Sequence, residues 1–169
     1  CPGGFIGVDI FFVISGYLIS GLILRQGDGF SFPAFYVRRF FRLFPALLAT
    51  LVATLIGGWW TLAPAQYAGL ARSALSAIPG LSNFYFWITV DYFNASALDH
   101  PLLHTWSLGA EEQFYLVWPA LLWLTLRRHI PLHVLAIGSA FVSLLVIVAV
   151  SSLGPEAAFY MMPARMFEF

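Results

Sequence analysis

The stretch GVDIFFVISGYLISGLIL, from Gly7 to Leu24, decides the fold class of this chain. Asp9 is its only charged residue, and the other positions are apolar, small or uncharged. A helix needs about 20 mostly apolar residues to cross the hydrocarbon core of a bilayer. The stretch therefore predicts a membrane-spanning helix.

The composition of the whole chain also indicates a membrane protein. Of the 169 residues, 60% are hydrophobic and 9% are charged, whereas soluble domains carry about 25% charged residues. The formal net charge is zero, so nothing indicates a nucleic-acid partner. The single cysteine excludes an internal disulfide and a cysteine-based metal site. We therefore expect an all-α, polytopic transmembrane helical bundle that contacts membrane lipid and no nucleic acid.

Four segments are predicted to span the membrane. They are roughly residues 7–24, 43–60, 106–126 and 132–150. Pro45 is predicted to help start the second of these helices. The long stretch 61–105 is rich in Pro, Gly, Ser and Asn, and its aromatic run NFYFW (83–87) suits the headgroup region. The same run is also compatible with a short interfacial or re-entrant helix.

The arginines predict the orientation of these helices. Six of the eight basic residues fall in segments 25–42 and 127–131, and cytoplasmic segments carry an excess of such residues. We therefore expect 25–42 and 127–131 to be cytoplasmic loops and 61–105 to be extracytoplasmic. Because the chain begins with Cys and ends on PARMFEF, we expect residues 1–169 to be an internal part of a longer membrane domain.

The first predicted helix carries a polar face. Asp9, Phe12, Gly16 and Ser20 follow helical spacing, and the pair Gly16 and Ser20 favours close packing against another helix. Asp9 is interpreted either as functional or as tied to a helix outside the chain. Ser15 is a weaker candidate for a nucleophile, because no G-x-S-x-G motif surrounds it. Its hydroxyl is expected to bond back to its own helix.

An arginine cluster lies in FYVRRFFRLFP, residues 35–45, where Arg38, Arg39 and Arg42 are interspersed with phenylalanines. One interpretation is a topogenic cluster with belt aromatics. The other is an anion site, because guanidinium groups bind phosphates in a bidentate geometry. A cytoplasmic nucleotide or the pyrophosphate of coenzyme A would suit such a site.

Two glutamates, Glu111 and Glu112, lie in HTWSLGAEEQFYLVWP, residues 104–119. The apolar part of this segment, residues 114–126, would measure only about 20 Å as a helix. The helix must therefore begin near Trp106 to span, which brings both glutamates to the edge of the apolar zone. Carboxylates in the first turns of a helix are stabilised by its dipole, but an ionisable group at membrane depth is a functional-site candidate.

The histidines give no metal site. His100 and His104 are four residues apart, but Pro101 disfavours helical geometry between them. No metal is therefore expected. His104 is the more interesting of the two, because His104, Ser107 and Glu111 are spaced to share one helical face.

Four stretches together resemble the acyltransferase family 3 membrane proteins, which are integral-membrane O-acyltransferases of bacterial surface carbohydrates. They are GVDIFFVISGYLIS (7–20), FYVRRFFRLFPA (35–46), LLHTWSLGAEEQFYLVWP (102–119) and PARMFEF (163–169). The resemblance implies a larger helical bundle that takes an acyl group, commonly acetyl from acetyl-CoA, and transfers it to a sugar hydroxyl.

The resemblance also implies roles for single residues. Arg39 and Arg42, with Arg38 beside them, match the arginine motif that contacts coenzyme A. Glu111 matches the characteristic acid of the family, and Arg165 and Glu168 match its later R-x-x-E-F motif. The presumed catalytic histidine of the family belongs to a helix that precedes GVDIFF. That helix and the C-terminal helices are expected outside this chain, which is expected to be inactive alone.

We therefore expect an enzyme of the bacterial inner membrane that acylates a carbohydrate acceptor. Acyl-CoA is its expected co-substrate, and no bound cofactor is expected. Six further residues are expected either to contact the substrate or to hold the structure of the site: Asp9, Ser15, His104, Ser107, Arg165 and Glu168. The alternative is a transporter or exporter of a small solute or glycan precursor, which an inverted repeat would indicate. A non-catalytic scaffold for polysaccharide assembly is a third possibility.

Overall fold

The computed structural model describes residues 4–89, 100–151 and 159–168. Within these ranges the chain forms six α-helices, a 3₁₀ turn at Gly27–Gly29, a 3₁₀ segment at Met162–Glu168, and no strand. The helices are α1 (Gly4–Gln26), α2 (Phe32–Thr61), α3 (Pro64–Ala77), α4 (Ser82–Thr89), α5 (Thr105–Arg127) and α6 (Leu132–Ser151). The predicted all-α fold class is confirmed.

Helix α2 begins much earlier than predicted. Only residues 27–31 separate α1 from α2, so the arginine cluster is helical and the predicted loop over 25–42 is wrong. A proline in the first turn, Pro33, favours this start, because the amide that it lacks would have no helical partner there. Pro45 lies inside the helix rather than at its start. The shorter predicted connection, 127–131, is confirmed between α5 and α6.

Three helices of the described ranges are long and apolar enough to cross a membrane. They contain Gly7–Gln26, Phe32–Thr61 and Leu132–Val150. Helix α5 has 23 residues but carries Glu111, Glu112 and Gln113 in its first half, which lowers its hydropathy. Several of its apolar side chains, among them Phe114 and Leu122, are buried by protein. Spanning is thus supported for three of the four predicted segments and stays a prediction for α5.

The stretch 61–105 is largely helical in its described part. The aromatic run NFYFW lies in α4, which has eight residues and is too short to span. Two hydrogen bonds hold α4 in place: the hydroxyl of Tyr85 donates to the carbonyl of Gly69 at 3.3 Å, and that of Ser82 donates to the carbonyl of Thr105 at 2.6 Å. The run is therefore helical, as the alternative interpretation predicted, and its position at the membrane interface stays a prediction.

The chain divides into two compact units. One unit is Ser31–Gly109, which holds α2, α3, α4 and the first residues of α5. The other is Cys1–Phe30 with Ala110–Phe169, which holds α1, most of α5, α6 and the 3₁₀ segment. The predicted site residues are divided accordingly. The first unit carries Arg38, Arg39, Arg42, His104 and Ser107, and the second carries Asp9, Ser15, Glu111, Arg165 and Glu168.

Gly109 marks a close approach between α5 and the start of α4. A Cβ atom at this position would lie 2.9 Å from Oγ of Ser82, 3.1 Å from the carbonyl oxygen of Gly80 and 3.2 Å from Oδ1 of Asn83. The carbonyl belongs to the backbone and cannot rotate away. We therefore expect Gly109→Ala to lower the free energy of unfolding by about 1–3 kcal/mol, as overpacking does elsewhere.

Gly57→Ala in α2 is the matched control for this substitution. No atom lies within 4 Å of the position of its Cβ, and alanine is favoured over glycine inside a helix by about 0.5–1 kcal/mol. Thermal unfolding of the detergent-solubilised full-length protein compares the two variants. A Gly109→Ala variant as stable as Gly57→Ala would contradict the close approach.

Candidate functional site

Helix α1 has one face turned toward protein. Phe12, Ser15, Ile19 and Ile23 are buried and recur every three or four residues. The remaining sides carry exposed apolar side chains: Ile10, Val13, Ile14, Tyr17 and Leu18. The predicted packing face of the first helix is thus confirmed, and it carries the polar residues singled out in the sequence.

The carboxylate of Glu111 lies against this face of α1. Glu111 is 1% exposed, and Oγ of Ser15 donates a hydrogen bond to its Oε1. The hydroxyl of Tyr115 donates to Oγ of Ser15 at 3.3 Å. Glu111 and Tyr115 are one helical turn apart on α5, so both reach the same point on α1. The expectation that Ser15 bonds back to its own helix is wrong, because a carboxylate within reach is the stronger acceptor.

A second polar contact joins α5 to α1 one turn further along. The indole Nε1 of Trp118 donates to Oγ of Ser20 at 2.8 Å. The ring of Trp118 also stacks on that of Phe114, with centroids 5.5 Å apart. Together with the contact at Ser15, this bond fixes the register between the two helices. Glu112, the neighbour of Glu111, is only half-buried.

Asp9 finds its partner within the chain. Nη2 of Arg165, in the 3₁₀ segment, donates to Oδ1 of Asp9 in an ion pair. The guanidinium also lies 5.2 Å from the ring centroids of Phe12 and Phe159, a distance at which a cation is attracted to the ring face. Two predicted residues far apart in sequence are therefore brought together, and Asp9 has its ion-pair partner without a helix outside the chain.

The segment that carries Arg165 is itself fastened to α6. Oγ of Ser143 donates to the carbonyl of Pro163 at 2.9 Å, and Ser143 is fully buried. Glu168, the other predicted residue of this segment, belongs to it by backbone, but its side chain lies outside the described residues. Only the arginine half of the R-x-x-E-F motif can therefore be located.

The arginine cluster lies on the first half of α2. Arg38 and Arg42 are exposed and one turn apart, and Arg39 is half-buried. Trp59, near the other end of the helix, is 68% exposed. The 17 residues from Arg42 to Trp59 correspond to about 26 Å of helix, close to the roughly 30 Å of a hydrocarbon core. This spacing agrees with the predicted orientation, with arginines at one surface and tryptophan at the other.

His104 and Ser107 do not extend the site as predicted. His104 is exposed and precedes the first residue of α5, whereas Glu111 is buried. Oγ of Ser107 donates to the carbonyl oxygen of His104 at 3.0 Å, so this serine bonds back to its own backbone. Ser107 and Glu111 are four residues apart in α5, but His104 precedes the helix, so the three residues do not form one helical face. Among the described residues, no group of three or more metal-binding side chains lies together.

Tyr115 and Trp118 were missed in the sequence. Both donate hydrogen bonds to serines of α1. Tyr115 lies four residues after Glu111, and Trp118 lies three residues after Tyr115. A polar aromatic one turn after a glutamate was the available signal, since side chains at that spacing lie on one face of a helix.

Comparisons with known proteins give a consistent result. A family model described as an acyltransferase domain matches residues 2–167. The peptidoglycan O-acetyltransferase OatA of Listeria monocytogenes is 35% identical over 98% of the chain and 28% of that protein. The putative membrane-bound transacylase BcsY of Komagataeibacter xylinus is 42% identical over 82% of the chain and 36% of that protein.

The O-acetyltransferase OatA of Staphylococcus aureus is 40% identical over 79% of the chain and 22% of that protein. The chain therefore spans less than two fifths of the length of each of these three relatives. No solved structure matches it.

Proposed function

Because the chain belongs to the acyltransferase family 3 of membrane proteins, we propose that the full-length protein acylates a hydroxyl group of a cell-surface carbohydrate. Acetyl is the proposed acyl group, since two of the similar proteins carry O-acetyl transfer in their names and one of them names peptidoglycan. The observation that carries the proposal is a buried acid, Glu111, which accepts a hydrogen bond from Ser15 and lies in one of the four stretches that carry the family resemblance.

In the proposed reaction the acceptor hydroxyl attacks the thioester carbonyl of acyl-CoA. A general base takes the hydroxyl proton, the C–S bond breaks, and the thiolate leaves and is then protonated. Glu111 is proposed to orient the base or to stabilise the positive charge that it gains, because opposite charges attract strongly where water is excluded. A well-placed general base contributes about 10²–10⁴-fold to such a reaction.

Acyl-CoA is proposed to bind at the arginine cluster. Arg38 and Arg42 are exposed on one stretch of α2, and Arg39 lies between them. Guanidinium groups match the geometry of phosphate oxygens. We propose that this end of α2 lies at the cytoplasmic face of the bacterial inner membrane, as the positive-inside rule predicts and as the use of acyl-CoA would require.

The test is an acetyl-transfer assay on membranes that contain the full-length protein. Label from acetyl-CoA should enter the carbohydrate fraction. Arg39→Ala and Arg42→Ala should each raise KM for acetyl-CoA by about 10- to 100-fold, because a hydrogen bond to a charged group contributes about 1.5–3 kcal/mol. Arg72→Ala is the matched control, since Arg72 is an exposed arginine of the same unit, on α3.

Two outcomes would contradict the proposal. If the membranes consume no acetyl-CoA with any acceptor, the chain is better interpreted as part of a transporter. If Arg72→Ala raises KM as much as the other two substitutions do, the arginine cluster has no specific role in donor binding.

A further inference from the structure

Two hydroxyl groups form a series of hydrogen bonds that leads to the carboxylate of Glu111. The hydroxyl of Tyr115 donates to Oγ of Ser15, and Oγ of Ser15 donates to Oε1 of Glu111. We propose that Tyr115 is a positioning residue for the transfer reaction and that it acts on Glu111 through Ser15. This inference rests on the proposed role of Glu111 in that reaction.

The direction of these two hydrogen bonds follows from the chemistry of a hydroxyl group. A serine has a single hydrogen to donate and two lone pairs that accept. Because Ser15 gives its hydrogen to the carboxylate, it can meet the tyrosine only as an acceptor. The two hydrogen bonds therefore run in the same direction, from Tyr115 to Ser15 and from Ser15 to Glu111. Each bond in such a chain polarises the next, so the tyrosine strengthens the hydrogen bond that Ser15 makes to the acid.

The two hydroxyl groups are held by different helices. Ser15 belongs to α1, whereas Tyr115 belongs to α5 with Glu111. Both are almost fully buried, at 6% and 3% exposure, so water competes little for these hydrogen bonds. A flexible glutamate side chain would otherwise sample several rotamers. The two hydrogen bonds thus select one position of the Glu111 carboxylate relative to α1.

The contact between Trp118 and Ser20 supports this arrangement. It joins the same two helices one turn away at 2.8 Å and so limits their sliding. The hydroxyl oxygen of Ser15 is therefore held at a fixed position along the axis of α5, beside Glu111. Neither Tyr115 nor Trp118 needs to touch a substrate for this effect, which separates positioning from direct binding.

A double-mutant cycle on the full-length protein tests the inference. Tyr115→Phe should lower kcat of acetyl transfer by about 2- to 10-fold and Ser15→Ala by about 10- to 100-fold, the ranges for neutral and charge-assisted hydrogen bonds, with KM for donor and acceptor unchanged. The double variant should equal Ser15→Ala alone, because without Ser15 the tyrosine has no route to the acid. Tyr17→Phe, at an exposed tyrosine of α1, is the control and should retain full activity.

A pair of variants of equal shape separates the hydroxyl group from packing. Ser15→Thr keeps the hydroxyl and should retain most of kcat, whereas Ser15→Val has the same shape without it and should match Ser15→Ala. If Tyr115→Phe lowers kcat by the same factor with and without Ser15, or if it raises KM for the acceptor, Tyr115 acts directly and the inference is overturned.

Infrared difference spectroscopy gives a readout that is independent of activity. The carboxylate stretching band that disappears in Glu111→Gln should shift in Ser15→Val and in Tyr115→Phe but not in Ser15→Thr, since a donated hydrogen changes the two C–O bonds unequally. An unshifted band in both variants would overturn the positioning role. Normal acetyl transfer by Glu111→Gln would instead overturn the proposed function while this band still reported on the hydroxyl chain.

Discussion

In the reaction proposed for the full-length protein, replacing Glu111 by glutamine should lower the rate of acetyl transfer by a factor on the order of 10²–10⁴, because a general base contributes about that much and Glu111 is proposed to orient it or to stabilise its positive charge. Glutamine keeps the volume of the side chain and an oxygen that can accept the hydrogen of Ser15. It removes the negative charge and replaces the second carboxylate oxygen by an amide NH₂ group. The loss should therefore fall on kcat, and the protein should still fold and insert, which is measured by its yield in membranes and by its unfolding temperature.

Glu112→Gln is the matched control, because it removes the same charge from the adjacent residue. Glu112 is half-buried, whereas Glu111 is 1% exposed and bound by Ser15. We expect the Glu112 variant to stay within a few-fold of the parent protein, as substitutions away from the reacting groups usually do. Equal losses in both variants, or near-normal activity of Glu111→Gln, would remove Glu111 from the mechanism.

The ion pair between Asp9 and Arg165 should respond asymmetrically to mutation. The side chain of Arg165 is 8% exposed and that of Asp9 is 40% exposed. Asp9→Asn leaves a guanidinium buried without its counter-ion, and we expect it to lower the free energy of unfolding by on the order of 3 kcal/mol. Arg165→Met leaves the carboxyl group of Asp9, which is less enclosed by protein and can become neutral by taking up a proton. An arginine cannot lose its charge in this way, so the cost of Arg165→Met should be smaller.

The double variant Asp9→Asn with Arg165→Met provides the control. It contains no unpaired charge, and replacing a buried ion pair by uncharged groups is often nearly neutral. It should therefore be more stable than Asp9→Asn alone. Unfolding temperatures of the full-length protein in detergent give the comparison. If the two single losses are equal and simply add in the double variant, the charges do not interact as the geometry indicates.

The sequence predicted helices well where lipid-like apolar runs define them. Predicted spans at 7–24 and 132–150 correspond to α1 and α6 within a few residues. The start of α2 was mispredicted because charged residues between two apolar segments are typical of a loop, and this segment carries Arg38, Arg39 and Arg42. A helix satisfies its own backbone hydrogen bonds in lipid and in water alike, so charged residues need not end it.

The site was predicted only in part. Helical length arithmetic predicted that Glu111 lies within a helix, and its burial agrees with that position. Its contact with Ser15 joins residues 96 positions apart, and the pair of Asp9 and Arg165 spans 156 positions. Helical periodicity tells which face of a helix is buried but not which other element covers it. Long-range partners therefore required the structure.

The length of α2 has a consequence for ligand recognition. Its 30 residues measure about 45 Å, which exceeds the hydrocarbon thickness by about 15 Å. In the predicted orientation, the arginine end of α2 would extend beyond the hydrocarbon core, so that a continuous helix rather than a flexible loop would carry the arginine cluster. A polyphosphate would meet guanidinium groups whose backbone spacing is already set, and binding would not have to order that backbone. For the proposed acyl-CoA site, preorganisation of this kind would lower the ordering cost of binding.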